Sequence, residues 1–252
     1  MKTIYSAALM VAVAAMLALG MPAYASKMDD RIESSAKKSY VFKTYLKEDD
    51  IKIESKNGVV ALTGAVSEES HKSLAQETVA GLPGVKSVDN RLEVKGEHPA
   101  EMSDAWLSAK VKTTLLFHRS VSGFKTGVNV KDGVVTLEGE ATSQAQKELA
   151  TEYAKDVEGV KDVKNEMTVS KTSKKTARTA GDKIDDASIT AQVKMALLFH
   201  RSTSALKTKV ETKNGVVTLS GKAANTAEKD LAGKIVDDVH GVKSVNNRMT
   251  TE

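Results

Sequence analysis

The sequence predicts an α+β fold of three tandem αββαβ modules, each a three-stranded mixed sheet packed against two helices. Two observations carry this: a set of markers written three times at constant spacing, and a glycine-turned hairpin inside every copy. The turn Asn57-Gly58-Val59-Val60 recurs as Asp132-Gly133-Val134-Val135 and as Asn214-Gly215-Val216-Val217. A second glycine follows six residues after the first, at Gly64, Gly139 and Gly221. Gly84, Gly159 and Gly241 each open a Gly-Val-Lys-x-Val segment, and an asparagine follows at Asn90, Asn165 and Asn247. A phenylalanine precedes each turn, at Phe42, Phe117 and Phe199. Self-similarity at fixed spacing marks a repeated structural unit.

The elements follow in order, most plainly in the second copy. Leu107, Val111 and Leu115 recur at helical spacing and predict a first helix from Asp104 to His118. Asn-Gly or Asp-Gly between β-branched stretches asks for a type I′ turn, whose two central residues both take positive φ. Val128–Val130 and Val134–Leu137 therefore pair as a hairpin. Ala145, Leu149, Tyr153 and Val157 predict a second helix from Ser143 to Val157. The Gly-Val-Lys segment opens a third strand, with Val163, Asn165, Met167 and Val169 sharing one face. Two helices on such a sheet form a layered core. The modules fall at residues 29–96, 104–171 and 184–252, joined by linkers at 97–103 and 172–183, the second one basic. Units this small bury only about 60% of their unfolded surface, so each is marginal alone and leans on its neighbours.

The N-terminus predicts export. Met1-Lys2 is a short basic start, Ala7 to Leu19 is an unbroken apolar run, and Ala23-Tyr24-Ala25 is a small-x-small cleavage site. This reads as a signal peptide over residues 1–25, cut after Ala25, and as a periplasmic destination. The chain has no cysteine, which excludes disulfides, thiolate metal sites, cysteine nucleophiles and lipid attachment to a thiol. A formal charge of +4, one unit of it on Lys2, is too mild to argue for nucleic acid.

The run Asp-Gly-Val-Val-x-Leu-x-Gly, a helix, then Gly-Val-Lys-x-Val-x-Asn resembles the BON domain in all three copies. That resemblance implies a periplasmic, non-enzymatic protein of osmotic or envelope stress that binds phospholipid or supports the envelope. The stretch Asp104-Ala105-Trp106-Leu107-Ser108-Ala109-Lys110-Val111-Lys112 is similar to the tryptophan-bearing helix of a lipid-binding outer-membrane member of the family. There that helix meets anionic phospholipid, which points to Trp106, Lys110 and Lys112. The equivalent of Trp106 is Arg31 in the first copy and Ser188 in the third.

Charge patterning extends this candidate surface. Ala105 to Lys131 holds Lys110, Lys112, Arg119, Lys125 and Lys131 with no acid, and the third copy has Lys194, Arg201 and Lys207 in the matching stretch. Cations beside an exposed aromatic suit anionic headgroups, each contributing about 1 kcal/mol near such a surface. Trp106, Lys110 and Phe117 fall on one helical stripe, beside the Leu107-Val111-Leu115 stripe. The expected lipid contact is therefore the first helices of the second and third units. The alternative is a chaperone-like or scaffolding protein that binds other envelope proteins. Phe117-His118-Arg119 and Phe199-His200-Arg201 are read as cations at helix C-termini, complementing the helix dipole. No histidine cluster suggests a metal, no nucleophile has a base nearby, and the repeated glycines serve turns with no phosphate-cradling loop, so no cofactor and no small-molecule substrate are expected.

Overall fold

The computed structural model describes residues 23–96, 100–121, 126–170, 183–203 and 208–251. The apolar leader ahead of Ala23, the basic linker 172–183 up to residue 182, Lys125 and Lys207 lie outside the described residues. Unit 1 comprises α1 (Ala23–Lys38), α2 (Tyr40–Thr44), β1 (Asp50–Lys56), β2 (Val59–Val66), α3 (Glu69–Ala80) and β3 (Ser87–Val94). Unit 2 comprises α4 (Asp104–Phe117), β4 (Thr126–Lys131), β5 (Val134–Ala141), α5 (Gln144–Lys155), β6 (Asp162–Asn165) and β7 (Thr168–Val169). Unit 3 repeats it with α6 (Asp186–Phe199), β8 (Thr208–Lys213), β9 (Val216–Ala223), α7 (Thr226–Asp237), β10 (Ser244–Asn247) and β11 (Thr250–Thr251).

In each unit the middle strand pairs antiparallel with its hairpin partner and parallel with the third strand. The parallel register is the same three times: Val59 faces Ser87, Val134 faces Asp162 and Val216 faces Ser244. The hairpin turns carry the expected positive φ at both central residues, 56° and 81° at Asn57-Gly58 and 54° and 80° at Asp132-Gly133. An aspartate of the first helix fastens each turn. Asp104 accepts from the backbone N–H groups of Asp132 and Gly133 at 2.8 Å, as Asp29 and Asp186 do in their units. Burial pushes the Asp29 carboxyl up, but hydrogen bonds from Gly58, Ser55 and Asn57 outweigh it and hold the group below its ordinary value.

The recurring asparagine ties the third strand to the second helix. Asn165 Nδ2 donates to the Lys147 carbonyl at 2.7 Å while its Oδ1 accepts from Met167 N at 3.0 Å. Asn90 and Asn247 repeat both bonds. The third strand departs from the expected alternation: Met167 is buried but Val169 is exposed. In units 2 and 3 the ladder is interrupted after the asparagine and resumes in the same register, Leu137 with Asn165 and Glu140 with Thr168. At Gly159 (φ 90°) a Cβ would lie 2.7 Å from Met102 Sδ and 2.9 Å from Leu107 Cδ2, so this glycine lets the loop press on the first helix.

Two expectations change. The leading helix of unit 1 is split at Ser39, whose extended backbone caps α2 while its hydroxyl donates to Ala36 O at 2.8 Å. In α5 the core stripe is Ala150, Ala154 and the following Val157, whereas Ala145 and Leu149 are exposed. Leu149 and Tyr153 lie on the side turned to unit 3, where Tyr153 donates to Asp238 Oδ2 at 2.7 Å. The Leu107, Val111 and Leu115 stripe is buried as expected.

The units are fused by packing. Unit 1's core takes in Phe117 from α4 and Ala187, Ala191, Met195 and Phe199 from α6. The Asp185 carboxylate and the Ser188 hydroxyl accept from Tyr40 N at 2.9 Å and Val41 N at 3.1 Å, joining the start of α2 to α6. Tyr45 donates to Gln192 Oε1 at 3.0 Å across the same contact.

Candidate functional site

All three units contribute to one cleft of about 560 Å³. Its apolar floor is Trp106 and Ala109 of α4 with Met195, Leu198 and Phe199 of α6. Leu198 is half-exposed there, at 50%. Trp106 is half-buried and packs on unit 2's core from the first turn of a helix that Ser103 caps. Lys110, one turn on, holds its Nζ 4.4 Å from the Trp106 ring centre and 5.7 Å from that of Phe199. An ammonium over an aromatic face is attracted by the ring quadrupole. Burial holds Lys110 below its ordinary value, partly countered by Glu158 at 4.0 Å and by Glu101. The rim carries Glu68, Glu69, Glu101 and Glu158 against Lys95 and Lys110, so it is net acidic. The arrangement offers an apolar trough with one partly buried cation on its wall, which suits the apolar portion of an amphiphile.

The other predicted contact residues lie elsewhere. Lys112 is exposed on α4, outside the cleft lining. Lys194 Nζ pairs with Glu77 at 2.6 Å and joins unit 3 to unit 1. Arg119 reaches Asp237 at 3.0 Å and Asp238 at 3.6 Å, and Arg201 reaches Asp156 at 3.7 Å. These cations are matched by carboxylates of a neighbouring unit. The expectation that the first helix of unit 3 faces outward is corrected: ten of the fourteen residues of α6 are buried, against six of fourteen in α4. The small residues Ala187, Ser188 and Ala191 let α6 lie against unit 1. Phe117, whose recurrence at one position in every unit reads as core, is fully buried with its ring edge-on to Tyr45 at 5.6 Å.

The Phe-His-Arg segments have a different role from the one expected. They form a seam between units 2 and 3 with near two-fold symmetry. Arg119 N donates to Asp238 O at 2.7 Å, and Arg201 N donates to Asp156 O at 2.8 Å. His118 and His200, both buried, meet with their Nε2 atoms 3.0 Å apart. His200 Nδ1 lies 2.8 Å from Asp156 Oδ2, and His118 Nδ1 lies 3.4 Å from Asp238 Oδ2. The carboxylates absent beside these histidines in sequence are thus supplied by the facing unit. A signal existed: units 2 and 3 have both the His-Arg pair and Asp156 or Asp238, whereas unit 1 has Lys43-Thr44 and Gly81 and lacks both. Among the described residues no group of three or more histidines and carboxylates is arranged to hold a metal ion.

Comparison with known proteins matches the model of the BON domain family to residues 28–96, 103–171 and 185–252. The chain is 34% identical over 194 residues to the osmotically-inducible protein Y of Escherichia coli, covering 77% of this chain and 93% of that protein. It is 31% identical to the outer membrane lipoprotein DolP of Haemophilus influenzae, over 64% of this chain and 74% of the relative. A 21 kDa hemolysin of Actinobacillus pleuropneumoniae is 28% identical, over 62% of this chain and 82% of its own length.

Proposed function

The chain belongs to the BON domain family, and from that premise we propose that it is a non-enzymatic periplasmic protein of osmotic and envelope stress that binds phospholipid through the Trp106 cleft. Likeness to an osmotically-inducible protein and to an outer membrane lipoprotein supports the envelope-stress part of this reading. No helix among the described residues is long and apolar enough to cross a membrane, which suits a protein that meets the bilayer from its surface.

The single observation that carries the lipid reading is an indole lining an open apolar trough with an ammonium against its face. Tryptophan is favoured at membrane–water boundaries, where its apolar body is buried and its N–H stays wet. Removing apolar surface from water contributes about 25 cal/mol per Å². Lys110 and the exposed Lys112 add attraction for phosphate. Glu68, Glu69, Glu101 and Glu158 subtract from it, so the preference for anionic lipid is modest and apolar insertion provides most of the affinity.

Vesicle flotation tests this. Expected are binding to phosphatidylcholine vesicles, a few-fold gain on adding phosphatidylglycerol, and loss of most binding in Trp106→Ala. Flotation indifferent to both Trp106→Ala and lipid charge contradicts it. Suppression of client aggregation without any flotation would instead favour binding of other envelope proteins.

A further inference from the structure

We infer that the His118–His200 pair at the seam of units 2 and 3 is a proton-binding site that keeps the two units docked at neutral pH and parts them in mild acid. A neutral imidazole has one nitrogen that donates and one that accepts. His200 Nδ1 faces Asp156 Oδ2 at 2.8 Å, so it donates there and leaves Nε2 as an acceptor. The Nε2 to Nε2 contact of 3.0 Å then requires His118 Nε2 to be the donor. That leaves His118 Nδ1, a fully buried atom, with no hydrogen-bond partner among the described residues and Asp238 Oδ2 3.4 Å away. One added proton fits on that nitrogen, facing the carboxylate.

A second does not fit. It would land on His200 Nε2, the atom already accepting from His118, and two cationic rings would point hydrogens at each other across 3.0 Å. The docked pair therefore takes up one proton where two separated histidines take up two. Among the described residues, the titratable and charged groups around the pair come from the ends of both units' helices. From α5 and its end come Tyr153, stacked on His118 at 3.8 Å, and Asp156. From the end of α7 come Asp237, Asp238 and His240, and Arg119 and Arg201 flank the two aspartates. Burial pushes Asp156 and Asp238 up, but hydrogen bonds with His200 and Ser202 hold Asp156, and hydrogen bonds with Ser120 and Tyr153 and the charged form of His118 hold Asp238, below the ordinary carboxylate value. They stay charged when the pair takes up its proton. Burial is also the main cause holding His118 below its ordinary value.

The sign follows from proton counting. Above the ordinary histidine value of about 6.5 both states carry equal protons, and docking does not depend on pH. Below it the parted state binds more protons, so the docking constant falls by up to about tenfold per pH unit for each proton excluded.

The chain has no cysteine, so Lys131→Cys with Lys213→Cys gives one spin-label pair at exposed sites, one on unit 2 and one on unit 3. On the full chain one distance distribution is expected at pH 8, with a longer component growing below about pH 6.5. His200→Gln, which cannot take up a proton, should abolish that component. A distribution unchanged down to pH 5, or a change equally large in His200→Gln, overturns the inference. Histidine ¹⁵N titration of the unsubstituted chain guards against a variant that misfolds. One ring is expected to become charged while the seam is closed, and two charged rings in a closed seam would overturn it.

Discussion

Asn165 shows how one side chain makes a repeat legible. Its amide satisfies the Lys147 carbonyl and the Met167 N–H at once, and Asn90 and Asn247 do the same in their units. Aspartate would offer no donor and leucine neither group, so the sequence repeats asparagine wherever the third strand must hold the second helix. Asn165→Ala should lose about 1–3 kcal/mol of stability, since it leaves the Met167 N–H without its acceptor. Urea unfolding with Asn129→Ala as control, an exposed asparagine on β4, checks this. The control should change stability little. The recurrence of Asn165 was visible in the sequence; its bonds to Lys147 and Thr151 were not, because these lie on a helix whose placement only the fold defines.

At the scale of elements, the instructive pair is α4 and α6. The two helices have near-identical patterns, yet α4 carries Trp106 where α6 carries Ser188. That difference decides their surroundings. Ser188 is fully buried and accepts from Val41 N, so a large side chain there would drive α2 away. Ser188→Trp should cost about 1–3 kcal/mol or more through overpacking and should raise the protease sensitivity of unit 1. Trp106→Ser, at a half-buried site, should cost less. Equal losses measured by thermal unfolding would contradict the assignment of these two faces. Hairpins, helices and glycine turns could be read from sequence because their signals are local: two positive-φ residues, or a stripe at helical spacing. The outward-facing reading of α6 failed because periodicity reports which positions are apolar and not how many neighbours a helix has. Its run of Ala187, Ser188 and Ala191 was the available hint of close packing.

In the whole molecule, three marginal units become one body because each completes another's core or seam. Phe117 and Met195 fill unit 1, while Arg119 and Arg201 exchange carboxylates between units 2 and 3. These contacts join residues such as His118 and His200, 82 positions apart, which no local pattern connects. Of the basic residues that looked like one surface, Arg119, Lys194 and Arg201 pair with carboxylates of neighbouring units, while Lys112 and Lys131 stay exposed. What remains exposed at the junction of the units is the cleft around Trp106. The chain has a single tryptophan, so its emission reports on that cleft alone. Titration with vesicles whose acyl chains carry bromine is therefore the most direct test. A blue shift and strong quenching of Trp106 emission are expected as vesicles bind. Vesicle binding that leaves that emission unshifted and unquenched would contradict binding through the cleft.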